Sequence, residues 1–203
     1  MLCKLRFTMG QDFTFRGSFL ATRIRDADRT RERILLAAQE LFSKCSYGEA
    51  RLRDITAEAG VNPALVSRYF GSKLRLYEAA LEDCLSVDML ISAGRENFGR
   101  TLVDAFVSRD PGYRHPWPIL IHGASDPEGR EVALRLLNER IVAPLAEWLG
   151  GADGMYRAAE LIALTSGFFS YRLILPLDCF QGEVAPSVRK WLEDALQALV
   201  TPS

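Results

Sequence analysis

The chain has 203 residues, of which 48% are apolar and 25% charged, so it has the composition of an ordinary globular protein with ample length for a buried core. The formal net charge is −1, and bulk charge therefore gives no sign of a nucleic-acid partner. Its distribution is uneven, because residues 1–80 carry 14 Lys or Arg and 9 Asp or Glu (net +5), whereas residues 81–203 carry 11 and 17 (net −6). This asymmetry fits a DNA-facing head on an acidic body, although chance produces similar swings in many two-domain proteins.

The cysteine and histidine pattern excludes the common metal sites and favours a cytoplasmic protein. No CxxC pair or zinc-type spacing occurs, so we expect no metal and no cofactor. The residues concerned are Cys3, Cys45, Cys84, Cys179, His115 and His122. Gln11 and Asp12 interrupt any apolar segment that would act as a secretory signal. The most apolar stretch, residues 161–177, contains polar residues and predicts a buried helix rather than a membrane span.

The first 22 residues lack helical or strand periodicity and predict a disordered arm. Arg16, Arg23 and Arg25 would let that arm reach the DNA minor groove. The alternative is an extension without a role, with Met9 as a later start. A first helix is then predicted from Asp28 to Cys45, capped by Asp28 or Thr30. Its apolar stripe comprises Ile34, Ala38, Leu41 and Phe42.

Two short helices, residues 52–59 and 63–70, meet at a tight junction. Gly60 is suited to end the first in the left-handed conformation that a Cβ disfavours. Asn62 is suited to cap the second through its side-chain oxygen, and Pro63 to occupy the first helical position. The pattern predicts a helix-turn-helix whose second helix lies in the major groove of DNA.

The remaining chain also has helical periodicity. Ser72 caps a fourth helix that is predicted to reach about Leu90. Further helices are predicted over residues 97–107, from Pro118 to Gly123, over residues 127–149 with a kink at Pro144, over residues 154–175, and from Pro186 onward. Two apolar faces are predicted, one of Leu134, Leu137, Ile141, Leu145 and Trp148, the other of Val188, Trp191, Ala195 and Leu199. The fold class is all-α, with a three-helix head over residues 23–75 and a larger helical body over residues 76–203.

Three segments, RERILLAAQELF, RDITAEAGVNPALVSRYFGSK and LYEAAL, resemble the TetR family of transcriptional regulators. The resemblance is specific between Arg31 and Leu81 and looser beyond. It implies a DNA-binding head, a body with a pocket for an unknown small-molecule effector, and a homodimer paired through the last two helices. The function implied is that of a ligand-responsive repressor on a palindromic operator.

Carried over to this chain, the resemblance makes residues 62–70 the recognition helix. The DNA-contacting set is Arg51, Asn62, Pro63, Ala64, Leu65, Ser67, Arg68, Tyr69 and Lys73. Arg68 suits bidentate reading of guanine and equally a phosphate contact, while Lys73 is expected on phosphate. Arg51, Thr56 and Ser67 depart from the residues usual in the family.

Residues of the body are assigned by their chemistry. The predicted pocket wall consists of Phe106, Trp117, His122, Phe168, Tyr171 and Arg172. The predicted dimer interface contains Phe168, Phe169, Trp191 and Leu199.

Two alternatives stay open. The first is a helical enzyme or small-molecule carrier, although the sequence has no nucleophile elbow, no phosphate-binding glycine loop and no clustered acid–base pair. The second is a helix-turn-helix activator without a ligand.

Overall fold

The computed structural model describes the backbone of residues 12–107 and 115–201, and within these ranges the side chains from residue 26 onward. These parts of the chain contain helices and no strand, which confirms the all-α prediction. The helices are α1 Asp12–Phe42, α2 Leu52–Glu58, α3 Ala64–Phe70, α4 Lys73–Cys84, α5 Asp88–Ser92, α6 Phe98–Val107, α7 Pro116–Ala124, α8 Pro127–Leu137, α9 Ala143–Leu149, α10 Gly154–Phe169 and α11 Pro186–Val200.

Helix α1 begins before its predicted start. Residues 12–22 are helical, although their sequence shows no helical periodicity, while residues 1–11 and the side chains of Arg16, Arg23 and Arg25 lie outside the described part. Residues 12–29 contain no proline and a single glycine, so nothing in the local chemistry stops a helix there. Asp28 and Thr30 are therefore interior residues rather than caps. The Thr30 hydroxyl donates to the Asp26 carbonyl at 2.7 Å.

Helix α4 ends at Cys84 rather than near Leu90. Leu85 takes an extended conformation that the helix cannot accommodate, although its side chain is buried. The Ser86 hydroxyl then accepts from the Asp88 amide at 3.1 Å and so caps α5. The apolar pattern that suggested one long helix reflects burial on both sides of this break.

A π-helical turn at Asn138–Val142 separates α8 from α9. Pro144 has no N–H, so an α-helical bond to the Arg140 carbonyl is impossible, and the Ala143 amide instead bonds the Asn138 carbonyl five residues back. The kink predicted at Pro144 therefore takes the form of a π-helical turn, which contains one residue more than an α-helical turn. Because the insertion rotates the register, Leu134 is exposed and the buried face of α8 consists of Val132, Ala133 and Leu136.

A second π-helical turn, Ser170–Ile174, follows α10, so the predicted helix over residues 154–175 is regular only to Phe169. Helix α11 packs on α6, where the Gln197 amide accepts from the Gly99 N–H at 3.1 Å and donates to the Arg95 carbonyl at 2.7 Å. Its core side chains are Leu192, Leu196 and Val200. Among the described residues, no helix is both long and apolar enough to cross a lipid bilayer.

The buried apolar side chains form two cores. The first contains the inner faces of α1–α4 and continues into α7 and α8 through residues such as Ile119 and Leu136. The second lies between α6, α9, α10 and α11. Trp117 and Ile141 pack against both cores. The head is therefore not packed independently of the body.

Tyr77 of α4 packs closely against Gly123 of α7, at the junction of head and body. Tyr77 is fully buried, and its hydroxyl donates to the Ile119 carbonyl at 3.3 Å. A Cβ at position 123 would overlap the phenol of Tyr77, so only glycine fits there. Outside this contact, Arg135 of α8 pairs with Glu78, and Arg140 pairs with Glu82 at 3.1 Å.

We expect Gly123→Ala to destabilise the protein by about 1–3 kcal/mol, because the added methyl group overpacks a buried contact. Urea unfolding followed by circular dichroism measures this change. Tyr77→Leu removes the ring that the methyl group meets, so the penalty for Gly123→Ala should shrink in that background by about 0.5 kcal/mol or more. Additive effects of the two substitutions would contradict the proposed contact.

Candidate nucleic-acid interface and body cavity

The junction between α2 and α3 is closed by backbone hydrogen bonds. Gly60 has φ +61°, as predicted. The Gly60 amide donates to the Ala57 carbonyl at 3.0 Å, and the Val61 amide to the Thr56 carbonyl at 2.9 Å. This pair of bonds is a Schellman motif, which satisfies the last carbonyls of α2 and turns the chain sharply.

Helix α3 begins as the sequence predicts. The Asn62 side-chain oxygen accepts from the Ala64 amide at 2.9 Å, and Pro63 has the helical φ of −52°. Asn62 is exposed, but its side-chain oxygen is engaged in this cap. The primary role of Asn62 is therefore to fix the direction of α3.

Arg33 of α1 holds the junction from the other side. Its guanidinium donates to the Ala59 carbonyl and, at 3.4 Å, to the Gly60 carbonyl. A cation at the C-terminal end of a helix is favourable because the carbonyls there carry partial negative charge. Sequence reasoning did not single out Arg33, although it lies inside the RERILL segment.

The outer face of α3 is solvent-accessible. Val66 is fully buried and anchors the helix, whereas Ala64, Ser67 and Arg68 are exposed and Leu65 is half-buried. Tyr69 and Phe70 are half-buried, and the Arg31 guanidinium lies 5.1 Å from the centre of the Phe70 ring. The Arg68 guanidinium lies 6.0 Å from the Tyr69 ring centre, a weak contact that leaves its donors available.

Lys73 lies inward rather than toward solvent. Its ammonium group is 4.4 Å from the centre of the Tyr47 ring and 3.4 Å from the Gly48 carbonyl. Burial lowers the pKa of Lys73, and Asp126 opposes that shift. In this geometry Lys73 joins the start of α4 to the turn after α1, and a phosphate contact by its side chain would require it to leave Tyr47.

Arg51 stands at the N-cap position of α2, where it makes no side-chain capping bond, as its chemistry predicts. It is exposed, as is Arg53 two residues on. Both cations flank the α2–α3 unit on the surface and add to the positive charge near α3.

The body contains a cavity of about 310 Å³. It lies between the C-terminal end of α4 and helices α6, α7 and α10, where the two apolar cores meet. Most of its wall is apolar, and Phe106 and Trp117 contribute to it as predicted. The indole N–H of Trp117 is buried and has no acceptor among the described residues.

His115 is a cavity residue that the sequence argument missed. Its Nδ1 atom accepts from the Trp117 amide at 3.5 Å and so caps α7. Burial lowers the pKa of His115 to about 3, with a further contribution from Arg172, so the imidazole is neutral at pH 7. The sequence did contain a signal for this role. A residue directly before a proline disfavours the helical conformation, so the position of His115 before Pro116 indicates the start of a helix.

Four residues predicted for the pocket wall do not line this cavity. Phe168 is buried in the adjacent core, and Tyr171 is exposed. The Arg172 guanidinium donates to the carbonyls of Phe180 and, at 3.2 Å, Gly182, so it holds the loop after α10. His122 lies at the end of α7, on the side of Glu49, whose pKa is lowered chiefly by Ser46 and also by His122.

The residues predicted for the dimer interface also differ in where the structure places them. Phe168 and Phe169 are buried within the protomer and pack edge to face in the second core, so their side chains belong to the protomer's own core. Trp191 is 53% exposed, and Leu199 is half-buried. Helical periodicity identified apolar positions but not which of two apolar neighbours faces the core.

Two family models match the chain. The model described as bacterial regulatory proteins of the tetR family matches residues 34–80, and the model described as tetracyclin repressor-like, C-terminal domain, matches residues 96–200. The second covers more than half of the chain. The chain belongs to the TetR family. The first match contains α2, the Schellman turn and α3, and the second contains α6 to α11.

Two curated relatives match part of the chain. One, the repressor NicS of Pseudomonas putida, is 42% identical over 60 residues, which are 30% of this chain and 28% of that protein. Another, the activator FasR of Mycolicibacterium smegmatis, is 38% identical over 77 residues, 38% of this chain and 34% of that protein. The matches thus span about a third or less of these relatives.

Solved structures extend the likeness to the TetR fold as a whole. A TetR-family regulator from Streptomyces coelicolor is 26% identical with a TM-score of 0.52, covering 85% of this chain and 95% of that one. NalD of Pseudomonas aeruginosa, described as the secondary repressor of the MexAB-OprM multidrug efflux pump, is 19% identical with a TM-score of 0.61, covering 84% and 95%. At 19% identity, the likeness to NalD shows only that the two chains share a fold.

We expect Asn62→Ala to destabilise the protein by about 0.5–2 kcal/mol, because the first turn of α3 loses its cap. Asn62→Asp is the matched control, since its carboxylate accepts the same amide hydrogen bond and suits a helix N-terminus. Thermal unfolding of both variants measures the difference. Equal losses in the two variants would show that the cap contributes nothing.

Proposed function

We propose that this chain is a ligand-responsive transcriptional repressor that binds a palindromic operator in double-stranded DNA as a homodimer, in the cytoplasm of a bacterial cell. The observation that carries the proposal is the pre-formed helix-turn-helix, in which α3 has its exposed face free and its direction fixed by Asn62 and Arg33. A helix held in this way enters the major groove without first paying the cost of ordering.

In this proposal the contacts divide by position. Ala64 and Leu65, at the N-terminal end of α3, meet base edges or thymine methyl groups, and Arg68 reads guanine or binds phosphate. Arg51 and Ser67 bind phosphate oxygens, as do the first-turn amides of α4 near Lys73. Pro63 and Tyr69 shape the surface beside them.

Dimer formation is supported by apolar residues that one protomer leaves exposed on α10, on the π-helical turn after it and on α11. This face comprises Tyr156, Ala159, Ala163, Gly167, Tyr171 and Trp191. The small residues recur at helical spacing between the two tyrosines, and nothing lies within 4 Å of the position that a Cβ of Gly167 would take. A second copy related by a twofold axis would cover this face in a four-helix arrangement.

Response to a ligand is supported by the position of the cavity. Its wall includes residues 84–87, which contain the last residue of α4 and the three that follow it, together with Trp117 of α7. Helices α4 and α7 are in turn held together by Tyr77 and Gly123. A ligand that fits one arrangement of α7 better than another therefore biases α4, whose N-terminal end adjoins α3. Binding of such a ligand and binding of operator are then linked.

Activation of transcription is the alternative to repression. Part of the chain resembles both a repressor, NicS, and an activator, FasR. A helix-turn-helix head alone does not distinguish the two, since either outcome depends on where the operator lies relative to the promoter.

Selection of bound DNA from a random pool tests the proposal. The full-length protein should enrich a palindrome whose half-sites share one face of the duplex, with affinity that falls steeply with salt. Arg68→Ala should then relax preference at one base position of each half-site, at a cost of about 1–3 kcal/mol.

Arg51→Ala is the comparison variant for that experiment. It should weaken binding to all sequences alike and lower the salt slope by about one per protomer. No enrichment over the input pool would contradict DNA recognition. Identical behaviour of the two variants would contradict the division between base and phosphate contacts.

The dimer face yields a separate prediction. Trp191→Glu should convert the dimer to a monomer at micromolar concentration, because an isolated carboxylate would be buried against the partner. Leu134→Glu is the control, since Leu134 is equally exposed, at 53%, but lies on α8 away from this face. Light scattering after size-exclusion chromatography measures the mass, and a monomeric unsubstituted chain would overturn the assignment.

A further inference from the structure

The wall of the body cavity carries no formal charge among the residues that the structure describes. It contains no carboxylate, ammonium or guanidinium group in that set, and its largest members are apolar or aromatic. Those that define its shape are Val87, Leu102, Phe106, Trp117, Leu145 and Leu161. An ion that entered this space would lose hydration, and no described residue of the wall would supply an opposite charge. The volume of about 310 Å³ also lies at the small end of the range for ligand sites.

The polar groups in the wall are mostly engaged within the protein. The Thr165 hydroxyl donates to the carbonyls of Leu161 at 2.9 Å and Ile162 at 3.0 Å. The Ser86 hydroxyl donates to the Asp88 carboxylate at 2.9 Å. His115 is the one titratable imidazole in the wall among the described residues, and its depressed pKa keeps it neutral at pH 7.

Ser166 differs from its neighbour Thr165. It lies on α10 in the cavity wall and is half-buried, and its carbonyl accepts from the Ser170 hydroxyl at 2.8 Å. Its own hydroxyl forms no hydrogen bond with any described residue. A hydroxyl both donates and accepts, so this group can pair with a carbonyl, ether or hydroxyl oxygen of a ligand.

We propose that the effector is an uncharged, mainly apolar small molecule with one hydrogen-bonding oxygen, which the Ser166 hydroxyl binds. The inference rests on the proposed function of the cavity as the effector site. It narrows that function to a chemical class and excludes carboxylates, phosphates and amines as effectors at this site.

Three probes of nearly the same shape test the class: benzylacetone, a neutral ketone; hydrocinnamate, in which a carboxylate replaces the acetyl group; and isopentylbenzene, a hydrocarbon. Isothermal titration calorimetry on the full chain at pH 7 measures each affinity. The ketone should bind best, and the carboxylate should bind at least about tenfold more weakly than the ketone. Equal or tighter binding of the carboxylate would overturn the proposal, as would the absence of binding by all three at low-millimolar concentration.

Two hydroxyl deletions in adjacent residues locate the polar contact. Ser166→Ala should weaken ketone binding by about threefold to tenfold and leave hydrocarbon binding unchanged. Thr165→Val is the matched control, because it removes a hydroxyl that already bonds its own helix, and it should not favour one probe over another. An equal effect of the two variants on the ketone, or an equal loss for ketone and hydrocarbon in Ser166→Ala, would overturn the role of Ser166.

Calorimetry measures ligand binding in the absence of DNA. The proposed ligand class and the proposed response of operator binding to ligand are therefore tested independently. Binding in the predicted order, without any change in operator affinity, would support the ligand class and contradict ligand response. Release of the operator by hydrocinnamate and not by benzylacetone would support ligand response and contradict the ligand class.

Discussion

The contact between Tyr77 and Gly123 is the constraint on which most of this structure depends. The Tyr77 ring lies so close to the backbone of α7 that position 123 has no room for a side chain. The contact also joins the apolar core of the head to that of the body. The ion pairs of Glu78 with Arg135 and of Glu82 with Arg140 then add to a geometry that packing has already set, since ion pairs near the surface contribute little by themselves. The turn between α2 and α3 is fixed on the opposite side of the head, by Arg33 and its own backbone bonds. The helices proposed to respond to DNA and to ligand, α3 and α7, are thus held by separate sets of contacts that meet in α1 and α4.

Several arginines in this protein bind backbone carbonyls. Arg33 does so at the end of α2, Arg95 and Arg157 at the end of α9, and Arg172 at the loop after α10. Guanidinium groups suit this use because their planar donors span two neighbouring carbonyl oxygens. The consequence is that counting charges along the sequence overstates the number of cations available to a partner. The positive surface near α3 comes instead from exposed residues such as Arg51, Arg53 and Arg68.

Local chemistry made the head predictable from the sequence. Gly60, Asn62, Pro63 and Ser72 act within a few residues of themselves, and the structure has each in its expected role. The body was predictable only as a set of helices. The break after Cys84 was not predicted, and the missing N–H of Pro144 predicted a disruption but not its π-helical form. The one residue inserted there moved Leu134 from the expected buried face to the surface. The same limit explains Phe168 and Phe169, because apolar composition does not say whether a residue meets its own core or a second copy.

The continuity of the first core has an implication for how such a protein can be recombined. The first family model ends at residue 80, yet the side chains that pack on α1 and α4 include Ile119, Val132 and Leu136 from α7 and α8. A graft that exchanges only the segment before residue 80 would therefore set one protein's α4 against another protein's α7, at the site where a single methyl group does not fit. The modular unit for exchange is the head together with α7 and α8, which are discontinuous in sequence.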